Sequence, residues 1–175
     1  MPVYDIVRTR PNMNARIWWN EFPSEYELHT DGQFTEVVAD ASEGCTWGAC
    51  RAAVALDYIS GMPRFGLLGG RFTPTTSGQF VLRLPQSPLD VQWWEAAPGR
   101  KLGLPGEYGP AVGTGVLGRE GEWLDVPSGV LTLHVAAHDE VYSAPVVFVR
   151  VARALRSVMS LSSELDAETL DRFQF

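Results

Sequence analysis

Lysine is nearly missing from this chain of 175 residues: Lys101 is the only one among 14 basic residues, and the arginines are scattered. With 21 acidic residues the formal charge is −7. Nucleic-acid binders need clustered Lys and Arg to displace phosphate counterions, so no nucleic-acid partner is expected. Cysteine is equally scarce. Cys45 and Cys50 lie five apart, across what reads as a helix start. A disulfide between them would need a local bend, and a zinc site would need two more ligands at a recognisable spacing that the sequence does not offer. Two buried or half-buried thiols are expected, with no metal and no other cofactor.

Long apolar runs are missing as well. The longest, Ala144–Ala152, is interrupted by Pro145 and Arg150 and is far too short to span a bilayer. Met1–Arg10 has no apolar stretch of the signal-peptide kind, so a cytoplasmic protein with no membrane partner is expected. Three familiar catalytic layouts are also absent: a nucleophile elbow, a phosphate-cradling glycine loop and a zinc-protease helix. The turn Gly66–Gly70 is glycine-rich, but no helix follows it to offer its N-terminus to a phosphate.

What remains is a chain of short strands and Pro/Gly turns. Strands are expected at Val3–Arg8, Ala15–Asn20, Tyr26–Thr30, Gln33–Ala39, Arg64–Leu68, Gln79–Leu84, Asp90–Ala96, Glu122–Val126, Val130–Ala136 and Val146–Ala152. Asp31-Gly32 would turn a hairpin over Tyr26–Ala39. Gly69-Gly70 reads as the end of its strand. Val146–Ala152, the most apolar, reads as central. One helix is expected at Thr46–Gly61, with Thr46 as N-cap and Gly61-Met62-Pro63 as its stop. Gly99–Gly121 reads as a long loop, functional or mobile. The fold class is therefore mainly β: a two-layer antiparallel sandwich with one short helix, α+β being the alternative. Length fits one domain over 1–159, followed by an acidic C-terminal tail over 160–175.

Two groups of residues are candidates for chemistry. Trp18-Trp19 and Trp93-Trp94 sit on expected strands, where neighbours point to opposite faces. One of each pair should enter the core. The other is either covered by a second layer or exposed as an interface anchor. With the acidic residues Asp139 and Glu140, joined on the same rim by Asp40 and Glu43, these tryptophans form the expected partner-binding set. The second group is His134, His138 and Asp139. On one strand a spacing of four puts both histidines on one face but about 13 Å apart, too far to share a metal. Surface histidines and turn residues are the simpler reading, and no catalytic residue is assigned.

The order of elements resembles the competence protein J family of DNA-entry nuclease inhibitors. The resemblance is carried by four stretches: a strand pair near Tyr26–Val38; Trp47 opening a short helix to Tyr58; Phe65 and the strand Phe80–Leu84; and Pro127-Ser128-Gly129 leading into Val130–Val135. It implies a small inhibitory or immunity-type protein that binds a nuclease. The chain departs from that pattern in its longer N-terminal segment, its Gly99–Gly121 loop and its acidic tail, and no functional residue is carried across.

The expected function is thus that of a non-catalytic inhibitor or immunity-type protein holding a basic partner such as a nuclease. Complementary charge would speed association and discriminate partners. A small-molecule or carbohydrate-binding sandwich is the alternative, its pocket closed by Gly99–Gly121. An enzyme built on His134 or His138 with a nearby Asp ranks below both, and an assembly role remains a fourth reading.

Overall fold

Strand alternation does most of the building. In Gln79–Pro85, Phe80, Leu82 and Leu84 are buried while the residues between them are not. The same period runs through the first five residues of Met13–Trp19 and the first half of Gly129–Asp139. The structure is a computed structural model describing residues 3–10, 13–20, 22, 32–58, 64–86 and 99–161. The expected strands Tyr26–Thr30 and Asp90–Ala96 lie outside these residues, as does all but the start of the tail.

The strands are β1 (Val3–Arg10), β2 (Met13–Trp19), β3 (Phe34–Asp40), β4 (Cys50–Tyr58), β5 (Arg64–Pro74), β6 (Gln79–Pro85), β7 (Arg100–Leu102), β8 (Gly118–Arg119), β9 (Glu122–Trp123) and β10 (Gly129–Asp139). The helices are α1 (Gly109–Leu117) and α2 (Pro145–Met159). Eight strands form one sheet in the order β1-β2-β4-β5-β10-β6-β3, with β7 extending the β6 side of β10, while β8 and β9 make a small ribbon. All pairings are antiparallel except β6–β10, which is parallel.

Strand outweighs helix, as the sequence suggests. The details differ in several places. First, the expected helix Thr46–Gly61 is a strand over Cys50–Tyr58. Its alanines read as helix formers, but β4 lies between β2 and β5 and is packed on both faces, and that tertiary demand overrides propensity. Trp18 faces Ala53 and Trp19 faces Ala52 across the β2–β4 pair, so small side chains on β4 accommodate large ones on β2. Second, Gly69-Gly70 does not end β5. A Cβ on Gly69 would stand 2.7 Å from the Ala53 Cβ, and one on Gly70 would stand 2.7 Å from the Thr132 carbonyl oxygen. These glycines mark close approach inside a strand, next to a bulge in β10.

Third, Val146–Ala152 is not a strand but part of α2. Its valines favour a strand locally. Yet Val147, Phe148, Val151, Ala152, Leu155, Val158 and Met159 are buried at helical spacing, and Pro145 sits in the first turn, where its missing N–H costs nothing. Fourth, the expected loop Gly99–Gly121 contains β7, a 3-10 turn at Gly106–Tyr108, α1 and β8. Glycine-rich α1 is a poor helix by propensity and is held by packing. A Cβ on Gly115 would meet the Val149 carbonyl oxygen at 2.5 Å and the Ala152 Cβ at 2.6 Å, so the glycine sets how closely α1 lies on α2. The strand expected at Glu122–Val126 is confined to Glu122–Trp123.

Both helices lie on one face of the sheet. There Ile17, Val54, Leu68, Phe80, Leu82, Leu131 and Leu133 join the buried sides of α1 and α2 in the main core. Trp47 packs edge-on to Phe72 and Phe80 at 5.1 and 6.0 Å between ring centres. The opposite face carries a smaller cluster of Trp18, Ala53, Phe65, Leu67, Val135 and Ala137. A second large sheet facing the first is not found among the described residues. What covers the main face is a helical layer, as in the α+β alternative.

Two glycines of α1 test this packing in opposite directions. Gly115→Ala should destabilise the fold by about 1–3 kcal/mol through overpacking against α2. Gly113, whose Cβ direction is open, should tolerate Ala and gain about 0.5–1 kcal/mol. Denaturant midpoints of the two variants check both signs.

Candidate functional site

An open groove of about 850 Å³ runs between α1 and the β6–β3 side of the sheet. The sheet supplies Thr35 and Val37 from β3 and Leu84 from β6. Thr35 pairs with Leu84 and Val37 with Leu82, so these side chains share the helix-bearing face. α1 supplies Gly109, Pro110, Gly113, Thr114 and Leu117. Positions 109, 113 and 117 follow one another at one helical turn, and two of them are glycine, which leaves bare backbone facing the groove. Leu104–Gly106 closes one side, and Arg119, Glu120 and Trp123 of the ribbon form another.

Each wall is tied down. Tyr108 stacks on Phe148 of α2 at 4.6 Å between ring centres, and its hydroxyl donates to the Ser143 carbonyl at 3.3 Å. The Gly103 N–H donates to the Ala136 carbonyl at 2.9 Å. Gly118 leaves α1 at φ +89°, a conformation that favours glycine, and the Leu124 N–H donates to the Leu117 carbonyl at 2.9 Å, folding the ribbon back. Arg119 Nε donates to Glu122 Oε2 at 2.8 Å across the ribbon. Trp123 is 68% exposed, an unusual position for so large an apolar ring. The lining is mainly aliphatic, proline and glycine, with Thr35, Gln86 and Thr114 as its uncharged polar members.

The residues expected from sequence fall elsewhere. Trp18 and Trp19 are both buried, at 7% and 6% exposure, on opposite faces of β2. Neither is an exposed anchor: Trp19 joins the main core under the helices, and Trp18 packs in the smaller cluster on the opposite face. Trp93 and Trp94 lie outside the described residues. Asp139 and Glu140 are half-buried and exposed respectively, and both are engaged internally. Asp139 Oδ1 accepts the N–H groups of Val141 and Tyr142, each at 2.9 Å, and so shapes the turn into α2. Glu140 pairs with Lys101 Nζ at 2.7 Å.

His134 and His138 do not share a face. The register of β10 against β5 shifts between Leu133 and Val135, and that bulge reverses the alternation. His134 lies 6.0 Å from Phe22, which packs with the smaller cluster, whereas His138 lies beside Tyr108 under the helical layer. Among the described residues no group of three or more His, Cys, Asp or Glu could hold a metal. Cys45 and Cys50 are free and half-buried, and burial pushes the Cys50 thiol up to about 11. Trp123 and the α1 glycines were missed in the sequence. The available signal was a Pro-led segment with glycines spaced by four, followed by a tryptophan just past a Gly turn.

Comparison of the chain with models of protein families, with characterised proteins and with solved structures finds no match.

His138 is buried, and its Nδ1 lies 3.0 Å from the Gly103 carbonyl oxygen, so that nitrogen carries the proton in the neutral ring. Burial holds its pKa below the ordinary 6.5. In the window below 6.5 the unfolded chain binds more protons than the folded one. Stability is therefore full above that value and falls as pH drops toward the folded pKa. Urea midpoints measured from about pH 7 to about pH 5 should decline, and His138→Gln should flatten the decline.

Proposed function

We propose that this chain is a non-catalytic binding protein of the inhibitor or immunity type, which holds a basic protein by a segment laid in the groove beside Trp123. The exposed Trp123 ring at the edge of an apolar groove carries this reading. Tryptophan is the residue type most enriched among energetic anchors of protein interfaces. The groove is open along one side, which suits a protruding segment of a larger partner. Net charge of −7 favours encounter with a basic surface and suppresses acidic competitors. The family resemblance contributes less. One of its four stretches, the helix from Trp47 to Tyr58, is instead a strand from Cys50 onward in this chain.

The second reading is a small-molecule binder, and the volume of the groove favours it, since about 850 Å³ falls in the range of ligand pockets. Such pockets bury most of their ligand, however, and Trp123 would leave one side of a small ligand in water. The lining is also short of hydrogen-bond donors for a carbohydrate.

The test is affinity capture from the source cell at low and moderate salt. The wild-type chain should recover a basic protein that is lost as salt rises. Trp123→Ala should weaken that complex about tenfold or more, and Gly113→Phe, which fills the groove, should abolish it. Equal capture by all three proteins would remove the groove from the interface. No capture, together with thermal stabilisation by a small ligand, would favour the second reading.

A further inference from the structure

The charges at the groove mouth are not balanced. Among the described residues Arg119 is the only cation lining the groove, and its guanidinium is held by Glu122 at 2.8 Å. Glu120, at the turn of the ribbon, also lines the groove and is exposed, and it forms no ion pair or hydrogen bond among the described residues. An anionic group arriving there would face the Glu120 carboxylate, with Arg119 already held by Glu122. A cationic group would meet an unengaged carboxylate and, on the same wall of the groove, the exposed Trp123 side chain, whose ring quadrupole can attract positive charge. Among the described residues the rest of the lining carries no charged side chain. Val37, Leu84 and Leu117 line the groove together with Gly113, whose Cβ direction is open for 4 Å.

We infer that the groove recognises an apolar side chain next to an Arg or Lys on its partner, the apolar group resting on the Gly113 backbone and the cation lying between Trp123 and Glu120. The inference rests on the protein-binding reading and specifies what the partner must present. It also accounts for a charge preference at the contact itself, beyond the long-range effect of net charge. A flat ring can approach a glycine backbone closely where a side chain would hold it off.

The probe is phenylbutylguanidinium, compared with phenylbutylurea, its neutral isostere. Each is titrated into the full chain while the amide of Gly113 and the indole N–H of Trp123 are followed by NMR. The guanidinium compound should bind about fivefold more tightly than the urea. Glu120→Gln, an exposed and conservative change, should erase most of that preference while leaving urea binding as it was. Equal affinity for the two compounds would overturn the cation preference and leave the groove as an apolar site. If neither compound moves either signal, this inference and the groove reading both fall. Gly113→Ala serves as the folding control, because it keeps α1 and narrows the groove by a single methyl group.

Discussion

The molecule depends on how little side chain the middle of its sheet carries. Across β2, β4 and β5 the residues run from large to none: Trp18, Ala53, Gly69 on one face and Trp19, Ala52, Gly70 on the other. A methyl group at either glycine would collide with its neighbours. Gly66, farther along β5, would place its Cβ within 3.0 Å of Val147 and 3.2 Å of Val151, so α2 rests almost on the strand itself. Two tryptophans can enter one strand, and a helix can lie flat over its neighbours, only because β4 and β5 leave that space.

The same economy shapes the surface. α1 carries glycine on two sides for two purposes. Gly115 lets it approach α2, and Gly109 and Gly113 leave backbone exposed above β6 and β3. A helix of such composition has little stability of its own. Its position comes from the Tyr108–Phe148 stack before it and the Gly118 turn after it. The groove is therefore held by its ends more than by its floor. Replacing its glycines with better helix formers would strengthen the element and narrow the site, a conflict in which stability and recognition draw on the same residues.

The sheet was readable where one face is buried and the other is not. Gln79–Leu84 and the first half of Gly129–Asp139 alternate cleanly, and their strands emerge nearly as expected. Reading failed where burial is two-sided or propensity runs against context. The alanines of β4 mimic a helix because a strand buried on both faces has lost the polar half of its alternation. The valines of α2 mimic a strand because β-branching outweighs period in a short window, although Arg150 and Arg153 mark a polar side. The candidate site was harder still. Trp18 and Trp19 drew attention by their rarity, yet large aromatics are core residues first. Trp123 is one residue of a two-residue strand, and only its three-dimensional setting against α1 gives it meaning. The bulge at Leu133–Val135 could not be inferred, since it depends on the register with β5.

The parallel pairing of β6 with β10 has a consequence for synthesis. β10 is the last strand among the described residues, yet it lies between β5 and β6. Until the ribosome has delivered it, the earlier strands cannot join into one sheet, and β5 and β6 each present an unpaired edge. A nascent chain ending before Gly129 is two incomplete fragments with facing open edges, and those edges are templates for pairing with other chains. The insertion closes contacts between segments far apart in sequence, which makes it a slow step. Truncation from the C-terminus would therefore not trim this protein gradually: removing its final strand and helix takes away the piece that joins the rest.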